Sequence, residues 1–112
     1  MKHQSSNPKL EKCIQECLQC HHICLEMAMN HCLQAGGQHT EPTHFRLMLN
    51  CAEICQTSAN FMLSGSDLHH LTCQVCAEVC KRCADSCASV GEMDECVQAC
   101  RSCAETCAQM AG

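Results

Sequence analysis

Cysteine recurs through this chain in steps of three and four residues, and no other feature constrains its fold as tightly. In the first third the series runs Leu10, Cys13, Cys17, Cys20, Cys24, Met27, His31. Alternating steps of three and four mark the a/d seam of a heptad, the stripe that a helix turns toward its partners. The same rule selects His44, Met48, Cys51, Cys55, Ser58 and Met62, and then His69, Cys73, Cys76, Cys80, Cys83, Cys87 and Val90. A fourth seam comprises Met93, Cys96, Cys100, Cys103, Cys107 and Met110. Fifteen of the 16 cysteines lie on these seams, with Cys32 the exception.

Pro and Gly divide the chain where the seams divide. Asn7-Pro8 opens the first stretch, Gly36-Gly37 through Pro42 separates it from the second, Ser64-Gly65-Ser66-Asp67 follows, and Gly91 ends the third. Asn before Pro reads as an N-cap with proline at the first helical position, and Gly36 as a C-terminal stop. Thr40 or Glu41 before Pro42 should open the second helix, and Ser66 or Asp67 the third. These signals predict helices near 8–35, 42–63, 67–89 and 92–110 within one domain spanning residues 1–112. Short connections force antiparallel neighbours, so the expected fold is all-α: an antiparallel up-down-up-down four-helix bundle with a Cys-lined core.

Cysteine is usually a small buried hydrophobe, but a core built from it alone would be poorly filled and full of costly voids. Disulfides within a helix at these spacings are constrained by regular backbone, and the thioredoxin-type motif needs a βαβ setting that this pattern lacks. Metal ligation remains. Neighbouring seam cysteines have Cβ atoms roughly 5–6 Å apart. With metal–sulfur bonds of about 2.3 Å, a metal in line between two thiolates spans about 4.6 Å, which suits two-coordinate Cu(I). Zinc wants four converging ligands, and several buried tetrathiolate zinc sites would accumulate uncompensated negative charge. One Cu(I) per thiolate keeps the interior near neutrality, which predicts a capacity on the order of 15 Cu(I) per chain. No Cys run of the ferredoxin type is present.

The expected metal ligands are therefore Cys13, Cys17, Cys20, Cys24, Cys51, Cys55, Cys73, Cys76, Cys80, Cys83, Cys87, Cys96, Cys100, Cys103 and Cys107. Antiparallel packing should gather Met27, His31, His44 and Met48 at one mouth, beside Cys87 and Met93, where neutral thioether and imidazole ligands would admit Cu(I). The opposite mouth should hold Leu10, Met62, His69 and Met110. His3, His21, His22 and His39 fall off the seams and are not expected to be ligands. Off-seam apolar residues, Ile14, Leu18, Leu25 and Cys32 in the first helix with Leu47, Ile54 and Phe61 in the second, should pack between helices or form a subunit interface.

The stretch Met1 to Glu11, MKHQSSNPKLE, has no apolar h-region and no twin-arginine pair. Together with the free-thiol reading this points to a reducing cytoplasm. No membrane partner is expected, since no run approaches a spanning length. A net charge of −5 with no basic stripe argues against nucleic acid. With sulfur on every seam there is no carboxylate pair or nucleophile with its base, so no enzyme is expected.

The CxxxCxxCxxxC pattern at Cys13, Cys17, Cys20 and Cys24, repeated at Cys96, Cys100, Cys103 and Cys107, resembles the bacterial cytosolic copper storage proteins. The likeness runs from Leu10 to Met110. It implies many Cu(I) ions held by thiolates inside a bundle, His and Met near an open end, and a homotetramer. Helix two departs from the pattern, with only Cys51 and Cys55 carrying thiols and Ser58 on the seam. The alternatives are a Cu(I) metallochaperone or sensor, which needs few sites and an exposed exchange pair, and a zinc-binding structural module.

Overall fold

The computed structural model describes residues 7–112; His3 lies outside them. Asn7 opens the first helix, its Oδ1 accepting the backbone N–H groups of Lys9 at 3.1 Å and Leu10 at 3.2 Å, with Pro8 at the first helical position. Helix α1 spans Pro8–Glu26 and runs unbroken into a π-helical stretch, Met27–Cys32, and a last α turn, Leu33–Ala35. Gly36 ends it at φ 67°, a left-handed value that costs glycine nothing. A 3₁₀ turn, Gly37–Thr40, leads to α2, Pro42–Leu63. Glu41 caps α2 by accepting the His44 backbone N–H at 3.0 Å, and that hydrogen bond holds its carboxyl below the usual range. Helices α3, His69–Val90, and α4, Asp94–Ala111, complete the fold, and the described residues contain no strand.

Helix α1 packs against α2 and α4, and α3 packs against the same two, so the four helices ring a common axis. The body measures 50 × 24 × 18 Å, long enough for a stack of side-chain layers. Helices α3 and α4 each start two residues later than the Ser66–Asp67 and Gly91 signals suggest. Ser66 Oγ instead accepts the Leu68 N–H at 3.1 Å within the preceding turn. Glu92, at φ 62°, is still part of the turn after Gly91.

The π-helical stretch changes what the first seam delivers. A π turn takes up one residue more than an α turn, so the steps after Cys24 become four and four. Ala28 and Cys32 consequently face inward with no exposed surface, whereas Met27 and His31, expected on the seam, are only half-buried. Cys32, expected off the lumen, joins it. All 16 cysteines have 0% exposure, and none is paired in a disulfide.

Candidate metal centre

Because each seam is straight and the helices are antiparallel, the sulfurs stack as a column along the bundle axis. Near the Asn7 end, Cys13 lies 3.6 Å from Cys107, which is 3.5 Å from Cys17. Cys103 continues the column, 3.6 Å from Cys17 and 3.8 Å from Cys55. Cys55 lies 3.7 Å from Cys76 and 3.5 Å from Cys80, and Cys80 lies 3.6 Å from Cys51. At the centre, Cys20, Cys24, Cys51 and Cys100 are all mutually in contact, with six Sγ···Sγ distances of 3.8, 3.7, 3.7, 3.8, 3.5 and 3.8 Å. Beyond the tetrad, Cys83 and Cys87 form a separate pair 4.0 Å apart beside a thioether, Met48 Sδ lying 3.8 Å from Cys83 and 3.3 Å from Cys87. Cys96 stands slightly apart, 3.9 Å from the Ile23 carbonyl.

These spacings are shorter than the 4.6 Å or so of an in-line pair. At bond lengths of about 2.3 Å, a separation near 4.0 Å corresponds to an S–metal–S angle of about 120°, and 3.5 Å to about 100°. The interior is thus set for bridging, three-coordinate thiolates more than for isolated linear pairs, because helix packing brings sulfurs from different helices into van der Waals contact. The densest groups are Cys20/Cys24/Cys51/Cys100, Cys20/Cys55/Cys80/Cys103 and Cys17/Cys76/Cys103/Cys107.

Such crowding divides the thiols into hydrogen-bond acceptors, which ionise more readily, and donors, which hold their protons. Hydrogen bonds from Cys103, then Cys107 and Cys13, lower Cys17 to about 6. Hydrogen bonds from Cys83 and then Cys96 lower Cys87 to about 4. The donors move the other way: Cys103 is raised by Cys107 and Cys17, and Cys100 by Cys20 and Cys24. A hydrogen-bonded thiol column in which the acceptors ionise more readily favours a metal cation, because each sulfur must give up its proton to ligate.

At the mouth by the α1–α2 connection, Cys32 Sγ lies 4.0 Å from His39 Nδ1, 4.0 Å from His44 Nε2 and 4.0 Å from Met93 Sδ. His44 is buried, and its Nδ1 lies 2.8 Å from Ser86 Oγ. In the tautomer whose Nδ1–H donates to Ser86, Nε2 has its lone pair toward Cys32. A surface cavity lined by Gln38, Glu41, His44, Ser86, Ser89 and Val90 reaches this histidine from outside. Burial, and secondarily the charge of Cys87, raises Cys32.

His44 and Met48 therefore come together with the thiols as expected. His31 instead stacks edge-on against His39, ring centroids 4.9 Å apart, and Met27 packs at the core margin. His39, read as off-seam, is buried at the mouth. The 3₁₀ turn that carries it has no heptad register, so only its position between Gly37 and Thr40 beside Pro42 hinted at its location. At the far end Met62 Sδ is 3.9 Å from Cys73, while Leu10 and Met110 are half-buried against the core. His69 donates from Nδ1 to the Ser66 carbonyl at 2.8 Å, occupying one ring nitrogen. Ser58 fills its seam place by hydrogen bonding, 3.3 Å from Cys73 and 3.2 Å from Thr72. Off the lumen, His21 donates from Nδ1 to the Ala52 carbonyl at 2.7 Å, and His22 lies exposed 3.5 Å from Glu26.

Residues 6–112 match the family described as Csp, copper storage protein. The chain belongs to the copper storage protein family. Its fold superposes on the crystal structure of the Nmul_A1745 protein from Nitrosospira multiformis with a TM-score of 0.91 at 60% identity, covering 92% of this chain and 94% of that one. It is also similar to the Cu(I)-bound copper storage protein BsCsp3, with a TM-score of 0.85 and 31% identity over 93% of this chain and 99% of that chain. A further relative is an uncharacterized cysteine-rich protein, YhjQ, of Bacillus subtilis, 33% identical over 77 residues that make up 69% of this chain and 70% of the relative. Copper storage proteins being the family, the column of thiols is the feature through which this member must act.

Proposed function

We propose that this copper storage protein holds Cu(I) along its whole thiol column, on the order of one ion per thiolate and about 16 once Cys32 is counted. The observation that carries this is the run of buried Sγ···Sγ contacts from Cys13–Cys107 to the central tetrad, none longer than 3.9 Å, with Cys83 and Cys87 paired at 4.0 Å beside Met48. Each loading step replaces an S–H bond by an S–Cu bond and releases one proton to solvent, so the interior stays near neutral however many ions bind. The ligands we propose are the fifteen seam cysteines together with Cys32. Met48 and His44 admit copper at the mouth beside Cys32 and Met93, His31 lies further out, and Met27 flanks the core. Ser86 is the positioning residue that points the free nitrogen of His44 inward.

The protein is a reservoir without a reaction of its own, working in a reducing cytoplasm that keeps the thiols free. Among the described residues, no helix is long and apolar enough to cross a membrane. We further propose a homo-oligomer, a tetramer by family resemblance. Supporting this are the exposed Leu25, Met29 and Leu33 on one stretch of the first helix and Leu63, Leu68, Leu71 and Val75 around the α2–α3 turn.

One observation favours a second reading. The six edges of Cys20/Cys24/Cys51/Cys100 form a nearly regular tetrahedron whose centre is about 2.3 Å from each sulfur, a zinc–thiolate bond length. Against it, the tetrads share Cys20 and Cys103, so they cannot all hold separate zinc ions. Each Zn(Cys)4 would also bury two negative charges without a partner. Anaerobic titration of the reduced protein with Cu(I) against a chromogenic chelator, with Zn(II) run beside it, tests both. Saturation near one Cu(I) per cysteine, with little Zn(II) bound, supports storage. Saturation at one to three Cu(I) refutes it and leaves a chaperone or sensor, or a structural zinc site if Zn(II) binds in preference.

A further inference from the structure

Outside the thiol column, one cluster at the mouth has the chemistry of a different class of ion. His31 comes from the π-helical stretch, His39 from the 3₁₀ turn and Glu92 from the α3–α4 turn. One ligand atom from each of the three lies within 4.8 Å of the others. His39 Nε2 is 3.8 Å from Glu92 Oε1. His31 Nε2 is buried without a hydrogen-bond partner, although a buried polar atom left unpaired costs stability. Glu92 holds φ 62°, a left-handed conformation that a non-glycine side chain rarely adopts, directly after Gly91 at φ 89°. Backbone strain and a buried polar atom without a hydrogen-bond partner both occur at ligand sites.

We propose that His31, His39 and Glu92 form a site for a divalent borderline cation of the Zn(II) type, distinct from the Cu(I) column. Two neutral imidazoles and one carboxylate are a poor set for Cu(I), which prefers sulfur, and a good one for a borderline divalent ion with open positions for water. His39 links the two regions. In the tautomer that carries its proton on Nδ1, toward Cys32 Sγ 4.0 Å away, its Nε2 offers a lone pair to an ion held between it and Glu92 Oε1, 3.8 Å away. A bound ion would tie together three segments that meet only at this mouth: the end of the first helix, the connection to α2, and the turn between α3 and α4. It would sit directly outside Cys32, so occupancy would slow copper passing the mouth.

The thiolates must be occupied before this site can be read separately. Reduced protein is loaded anaerobically with Cu(I) to saturation and freed of excess, and the loaded protein is titrated with Zn(II) by calorimetry while the imidazole NMR resonances are followed. One Zn(II) per chain, with the His31 and His39 resonances shifting together, is the expected result. Loss of an outer-shell partner typically weakens a metal site 10–100-fold, so loss of a ligand in E92Q should weaken Zn(II) binding by about a hundredfold while leaving Cu(I) capacity unchanged. H31Q should do the same to Zn(II), and bound Zn(II) should slow Cu(I) removal by a chelator in the wild type but not in E92Q. No Zn(II) bound, or binding that survives both substitutions, overturns the proposal. If the column does not fill with Cu(I), that appears in the loading step and counts against storage alone; Zn(II)-saturated wild type and E92Q then still report the site as a difference of one ion per chain.

Discussion

The central tetrad gives the sharpest test, because removing two of its sulfurs has calculable effects on both the apo fold and the capacity. In C51A/C100A each lost sulfur leaves a void of about 20–25 Å³, worth about 0.5–0.6 kcal/mol at the cavity coefficient for core truncations. The apolar transfer lost with it, taken as similar to one methylene, adds about 0.8 kcal/mol. Each site thus costs about 1.3 kcal/mol and the pair about 2–3 kcal/mol. The sum is not strictly additive, because the two sulfurs touch at 3.8 Å and the voids merge. The capacity effect is different in kind. If copper is held one per thiolate in a charge-balanced column, the double variant loses about two Cu(I) and about two released protons, and keeps the remainder. Denaturant unfolding of the reduced apo protein measures the first effect, and anaerobic Cu(I) titration with proton release followed in weak buffer measures the second. A loss of half or more of the capacity by a still-folded variant would refute the one-per-thiolate column, because it would mean that a few discrete clusters carry the copper. Undiminished capacity would refute the tetrad as a binding region.

At the mouth, H44A should slow Cu(I) uptake in stopped-flow mixing by tenfold or so and S86A by less, as expected of a ligand and the residue that orients it; equal rates in all three proteins would remove His44 from the uptake path. Deleting Met29, an exposed residue in the π-helical stretch, should restore a regular α-helix while keeping Cys32 on the lumen seven residues from Cys24. The deletion should leave the native apo protein's Cys32 resistant to alkylation, and ready labelling of that thiol would contradict the single-residue-insertion account. E92G should stabilise the apo protein by about 0.5–1 kcal/mol by relieving its left-handed φ, as read from the shift in urea midpoint, and no gain would show that the turn is unstrained. Apo stability should peak near pH 9. Against a lowering hydrogen bond with Cys103, Cys20 and burial push Cys80 up to about 11, so the stability it contributes is fully present below the ordinary thiol value and disappears as pH rises toward 11. Cys17, lowered to about 6, contributes above the ordinary value and loses that contribution as pH falls toward 6. Urea midpoints from pH 6 to 11 test the sign, and a midpoint that rises past pH 10 would contradict it.

Much of this architecture was legible because heptad spacing and punctuation are local properties. Asn7-Pro8, Gly36 and Gly91 act on the backbone within one turn, so the helix ends they mark can be read without knowing what packs against them. Seam membership is likewise set by the roughly 100° that each residue advances around a helix, which is why Cys13, Cys17, Cys20 and Cys24 could be assigned to one face together with their counterparts on α3 and α4. That rule fails where the helix itself departs from the α geometry. Nothing in Met27–Cys32 announces a π turn, and one additional residue there exchanged Met27 and His31 for Ala28 and Cys32 on the inner face.

The sequence by itself determined that sulfur would line the inside of a helical bundle, because residue type and periodicity decide which face is buried. Only the tertiary structure decided how far apart the sulfurs lie, since Sγ···Sγ distances between helices depend on how four backbones approach one another. Packing brought them to 3.5–4.0 Å, spacings that favour bridging over linear coordination. Tertiary structure also carried His39 and Glu92 to the mouth. They belong to connecting turns with no heptad register, and their positions are set by where the helix ends meet in space.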